Sequence, residues 1–211
     1  MDETAKTDAP LRFRGVHHTA RPTWKLKETV EFYRNILGLP LAHVISARGW
    51  GPAEHPDFLH FFFDSGNGSM IAFFYYLGDE QPEHLVHRPA YDNDATHTAW
   101  RVHSREELLA WRERLEAHQV PILYQIEHEV IESLYFRDPN GYLIEITLPL
   151  RQLQALDVSD ADLTIRAAVA EESRRLAAGE GKLQKIESVW RAKGEMLARG
   201  DAPAGREAAF S

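Results

Sequence analysis

Apolar and polar residues alternate along this chain in two recurring rhythms. Leu26, Val30, Tyr33 and Leu37 step by 4, 3 and 4 residues and stop at Gly38, which predicts an amphipathic helix. The aromatic run Phe61-Phe62-Phe63 and the segment Met70-Ile71-Ala72-Phe73, joined across Asn67-Gly68, read as the two arms of a hairpin. The same order then returns. Ser104-x-x-Glu107 is a capping box that opens a second helix through Leu108, Trp111 and Leu115. Leu134-Tyr135-Phe136 and Leu143-Ile144-Glu145-Ile146 flank Asp138-Pro139-Asn140-Gly141, whose residues suit a type I turn.

The fronts of the two halves correspond as well, since His18 lies 14 residues before Phe32 and His97 lies 14 residues before Trp111. Each half reads as a strand, a helix and about three strands. The expected fold is α+β, with two β-α-β-β-β modules in tandem. The modules span about 11–78 and 95–150, inside a domain of 11–150. Gly78–Asp94 links them, and the Gly- and Pro-rich loop Arg48–Pro56 is expected at the mouth of the site.

Composition changes near Pro149. All 11 histidines fall between His17 and His128, and only Trp190 and Phe210 of the 22 aromatic residues lie beyond Leu150. Residues 1–150 carry 14 Lys+Arg and 22 Asp+Glu, against 10 and 10 in 151–211, so the whole net charge of −8 sits in the body. Residues 151–200 are expected to form two helices interrupted at Gly179 and Gly181, the first starting near Ser159-Asp160. Leu183, Ile186, Trp190 and Leu197 lie on one helical face, which is expected to bury against the body or a partner subunit. The ends, 1–10 and 201–211, are expected to be disordered.

The acidic balance and the lack of a basic run argue against nucleic acid as a partner. No apolar stretch approaches the roughly 20 residues that cross a membrane. The polar start Met1–Pro10 does not suit a signal peptide, and a cytoplasmic protein is expected. With no cysteine, any metal must be held by His, Asp or Glu.

The repeat places His18 and His97 on corresponding first strands, and Ala72 and Glu145 on corresponding last strands. Two imidazoles and one carboxylate on rigid strands suit Fe(II) and leave neighbouring positions open for substrate and dioxygen. A carboxylate inside the apolar run Leu143–Ile146 is costly unless it is paired or bound to a metal. Read singly, each of these residues is more often an ordinary strand residue than a ligand; their relation through the repeat is what selects them. His17 points away from His18 by strand alternation, and the 14-residue spacing selects His18.

These residues resemble the vicinal oxygen chelate superfamily. The features are His18 before a Phe32-Tyr33 helix ending Leu37-Gly38-Leu39, then His97, then Phe136-x-Asp138-Pro139-Asn140-Gly141-x-x-x-Glu145, over about residues 13–148. The resemblance implies paired modules that form a cup-shaped mixed sheet around one metal. It implies a metal-dependent oxidoreductase closest to the Fe(II) extradiol ring-cleaving dioxygenases, acting with dioxygen on a catechol-like aromatic diol. Mn(II) or another divalent ion is a second possibility. A glyoxalase-like lyase or isomerase and a metal-free small-molecule-binding protein are the alternatives within the superfamily. Extradiol enzymes place a Tyr ten residues before the ligand Glu, as Tyr135 stands here, and a His upstream of it, for which His128 is the nearest match. The resemblance thus gives Tyr135 and His128 as catalytic residues. The tail helices suggest a homodimer.

Overall fold

The computed structural model describes residues 15–49, 55–86 and 94–201. The chain divides into two compact units, Met1–Pro149 and Leu150–Ser211.

The first unit contains the two modules. In the first, β1 (His18–Pro22) leads into α1 (Leu26–Glu31), and β2 (Leu41–Ala47), β3 (Phe58–Gly66) and β4 (Ser69–Tyr76) follow. A short helix, α2 (Glu83–Val86), precedes the second module. That module runs β5 (His97–Arg101), α3 (Arg105–Ala117), β6 (Ile122–His128), β7 (Ile131–Arg137) and β8 (Leu143–Pro149). Each module folds its own four-stranded mixed sheet, in the orders β1-β4-β3-β2 and β5-β8-β7-β6.

The registers are equivalent position by position. His18 pairs with Met70 and Ala20 with Ala72, just as His97 pairs with Leu143 and Ala99 with Glu145. Phe62 faces Ala72 where Tyr135 faces Glu145. The predicted equivalence of His18 with His97, and of Ala72 with Glu145, is therefore the one the sheets adopt.

Local chemistry explains the boundaries. After Glu31 the helix widens into a π-helical turn, Phe32–Ile36, in which the consecutive residues Phe32 and Tyr33 are both buried. Gly38 then ends it at φ +73°. Ser104 caps α3 by accepting a hydrogen bond from the Glu107 amide at 3.2 Å. Asp138–Gly141 turns as predicted, with the Gly141 amide donating to the Asp138 carbonyl at 2.9 Å and Gly141 at φ +89°.

One face of each sheet enters a shared core. Phe61, Phe63, Ile71 and Phe73 from the first sheet join Leu134, Phe136, Ile144 and Ile146 from the second. The widened end of α1 lies between them: Tyr33 is 4.7 Å from Phe73 and 6.5 Å from Trp100, and Phe32 is 6.3 Å from Phe136, measured between ring centroids. Polar contacts fix the seam. The Tyr33 hydroxyl donates to Asp138 Oδ2 at 3.1 Å, Thr23 Oγ1 to Asn140 Oδ1 at 2.7 Å, and Arg114 Nε to the Ile36 carbonyl at 2.5 Å.

The second unit holds α4 (Ala155–Ala177) and α5 (Ile186–Ala198), which pack on each other around Leu163, Ala167 and Val189. Helix α4 begins four residues before the expected Ser159. Gln154 is its cap, and the Asp157 carboxylate accepts from the Gln154 amide at 2.7 Å, so a reciprocal cap upstream outcompetes the Ser-Asp signal. Within α5, Val189 is the residue buried in the unit, Ile186, Trp190 and Leu197 are 54%, 61% and 60% exposed in the single chain, and Leu183 precedes the helix. The residues expected to be disordered fall outside the described residues, apart from Asp201. Most of the expected mouth loop, residues 50–54, also lies outside them.

Candidate metal centre

Strand alternation sends the other face of each sheet away from the shared core. On the second sheet this face carries His97, Ser133, Tyr135, Glu145 and Thr147; on the first it carries His18, His43, His60, Phe62 and Phe74.

Glu145 is only 4% exposed, flanked by Ile144 and Ile146, and needs partners. Its Oε1 accepts a hydrogen bond from Ser133 Oγ at 2.5 Å, and Thr147 Oγ1 stands 3.0 Å from the same Ser133 oxygen. Its Oε2 faces His97 Nε2 at 3.0 Å. The other ring nitrogen, Nδ1, is 2.8 Å from the Asp94 carbonyl oxygen. A carbonyl only accepts, so Nδ1 donates to it and Nε2 is the atom turned to Glu145. A contact this close needs a shared proton or a cation between the two atoms. Neighbouring donors on an octahedral ion stand about 3 Å apart when each bond is about 2.1 Å. The pair therefore fits two ligands of one divalent cation.

Tyr135, directly opposite Glu145 on β7, is buried. Burial raises its phenol pKa, the Ser133 hydroxyl opposes that shift, and the Glu145 carboxylate adds to it. Its hydroxyl lies 3.5 Å from His128 Nε2, and its ring 4.7 Å from that of Tyr124. The β6–β7 hairpin thus brings His128 beside Tyr135 despite their seven-residue spacing.

His18 occupies different surroundings. It is exposed, its ring centroid is 5.3 Å from Phe62 and 6.0 Å from His60, and its Nδ1 is 2.9 Å from Nδ1 of His17. Among the described residues no three His, Asp or Glu side chains gather so that they could hold one ion. Of the three expected ligands, the chain brings His97 and Glu145 together and leaves His18 on the other sheet. His60 is buried and stacked on Phe74 at 3.7 Å, with Nδ1 3.1 Å from the Phe73 carbonyl, and burial pushes its pKa below the ordinary value.

Sequence reasoning missed Ser133, Thr147 and the Asp94 carbonyl. Ser133 and Thr147 share a face with Tyr135 and Glu145 by alternation, which is the signal that could have found the two hydroxyls. Nothing in the sequence marks a backbone oxygen.

A family model for the glyoxalase/bleomycin resistance protein/dioxygenase superfamily matches residues 15–146. No curated protein matches the chain. A glyoxylase/bleomycin resistance protein/dioxygenase domain from Frankia sp. EAN1pec is 22% identical with a TM-score of 0.50, over 67% of this chain and 96% of that one. Lactoylglutathione lyase from Agrobacterium tumefaciens is 20% identical with a TM-score of 0.46, over 65% and 95%. A glyoxalase/dioxygenase from Nostoc punctiforme is 20% identical with a TM-score of 0.47, over 71% and 100%. With the family model covering both modules and the repeat intact in the sheets, the chain belongs to the glyoxalase/bleomycin resistance protein/dioxygenase superfamily.

Proposed function

We propose that the chain is a metal-dependent oxidoreductase, an Fe(II) extradiol-type ring-cleaving dioxygenase acting on a catechol-like aromatic substrate. His97 and Glu145 would hold the ion, with His18 of a second copy as third ligand. The observation that carries this reading is the pair His97 Nε2 and Glu145 Oε2, 3.0 Å apart with Nδ1 committed to Asp94. Support for the second copy comes from the two outward faces. His18 has on the first sheet the register position that His97 has on the second, yet the two sheets turn those faces away from one core.

Iron bound there would supply Lewis acidity toward two vicinal oxygens and electrons for dioxygen chemistry. The chain's own residues would do the rest. Tyr135, a phenol and so protonated near neutral pH, donates a hydrogen bond to a substrate oxygen beside Glu145. His128, exposed and next to the Tyr135 hydroxyl, accepts a proton and returns it. The aromatic rings of Phe62 and Phe74 on the first sheet offer a flat apolar wall.

The test is metal analysis of protein purified without oxygen, followed by oxygen uptake with a panel of catechols. About one iron per chain together with uptake is expected. A bound metal without uptake would replace the reading with lyase or isomerase chemistry, and no bound metal with a binder of small molecules.

A further inference from the structure

The geometry points to Ser133 as a positioning residue that restricts Glu145 to a single metal-binding oxygen. This rests on the proposed metal site. A carboxylate with both oxygens free can close on an ion through both, or swing between them. Here that freedom is removed on one side. Ser133 is fully buried on β7, and its hydroxyl donates to Glu145 Oε1 at 2.5 Å, the short distance of a bond to a charged acceptor. Thr147, the register partner of Ser133 on β8, stands 3.0 Å behind it and orients the hydroxyl. Only Oε2 is left, and it is the oxygen that faces His97 Nε2.

The arrangement mirrors what the Asp94 carbonyl does for His97. Each ligand keeps one atom for the ion and has its other polar atom anchored by the protein. On the first sheet the equivalents of Ser133 and Glu145 are His60 and Ala72, so the anchor is absent where the carboxylate is absent. Without the Ser133 hydroxyl, Oε1 would lose the donor that holds it, and the carboxylate would be free to rotate.

Mn(II) alone, titrated into metal-free protein and followed through the electron paramagnetic resonance signal of the free ion, tests this without any turnover. Ser133→Ala is expected to bind about 10- to 100-fold more weakly than the unmodified chain. Ser133→Thr, which keeps the hydroxyl, is expected to recover most of the loss. Co(II) absorption gives a second readout that a merely structural role would not move. The bands weaken in Ser133→Ala as the freed oxygen adds to the coordination shell, and keep their intensity in Ser133→Thr. Thermal melting of the metal-free proteins establishes that each variant is folded. If Ser133→Ala is not, Ser133→Cys, a weak donor of similar size, takes its place with the same expectation. Equal Mn(II) affinity in the unmodified chain and the hydroxyl-less variant would overturn the role of Ser133 and leave the metal site standing. No Mn(II) binding by the unmodified chain would overturn the metal site itself, and this inference with it.

Discussion

His97 Nε2 faces Glu145 Oε2 at 3.0 Å although the two are not register partners, because His97 pairs with Leu143 and Ala99 with Glu145. The imidazole reaches diagonally along the sheet toward the carboxylate, and the Asp94 carbonyl holds it there.

Removing either side chain should cost more than an outer contact does. His97→Ala and Glu145→Ala are each expected to lose well over the roughly 100-fold in Mn(II) affinity that removal of an outer anchor costs. Titration of the folded, metal-free variants measures this.

Tyr135→Phe separates binding of the ion from proton chemistry. The variant keeps the ring that packs on Tyr124 and should retain Mn(II) affinity within about threefold. Its kcat is expected to fall by about 10² to 10⁴ with a smaller change in KM. Steady-state oxygen uptake, once a substrate is in hand, gives the comparison.

His60 makes the fold sensitive to acid. Its folded-state pKa lies below the ordinary value because the ring is buried, so the unfolded chain binds more protons as pH falls through about 6.5. Stability contributed by the neutral ring is present above that pH and is lost on acidification. His60→Phe leaves the Phe73 carbonyl without this donor and should melt lower near pH 7, yet lose less on acidification to about pH 5 than the unmodified chain. Melting temperatures across that range provide the check.

The seam between modules rests on a buried hydroxyl. Tyr33→Phe removes the donor to Asp138 Oδ2 and is expected to cost about 1.5 to 3 kcal/mol, because the acceptor is a buried carboxylate. Urea denaturation reads the loss.

The repeat was legible because it is local: alternation, the Ser104 cap and the Asp138–Gly141 turn each fix a few neighbouring residues, and the strands then fall into equivalent registers. The pairing of Tyr135 with Glu145 follows from that turn, and with it the ten-residue spacing. How the modules meet was not legible. It depends on the π-helical turn that buries Phe32 and Tyr33 together, and on partners more than 100 residues apart such as Tyr33 and Asp138. A one-residue change in helix winding leaves no mark in the apolar rhythm, yet it buries Phe32 and Tyr33 together against rings of both sheets. The start of α4 was misread for a local reason, since Gln154 and Asp157 form a cap that competes with Ser159.

Mixing two defective variants tests most directly whether the metal site is shared between copies. His18→Ala and Glu145→Ala chains are each expected to hold no tightly bound Mn(II). Unfolded together and refolded at equal amounts, half of the dimers should be mixed, each with one intact site. Bound Mn(II) should then rise to about a quarter of the value for the unmodified protein. Mixtures that remain metal-free, while the unmodified chain refolded in the same way binds the ion, would contradict the account.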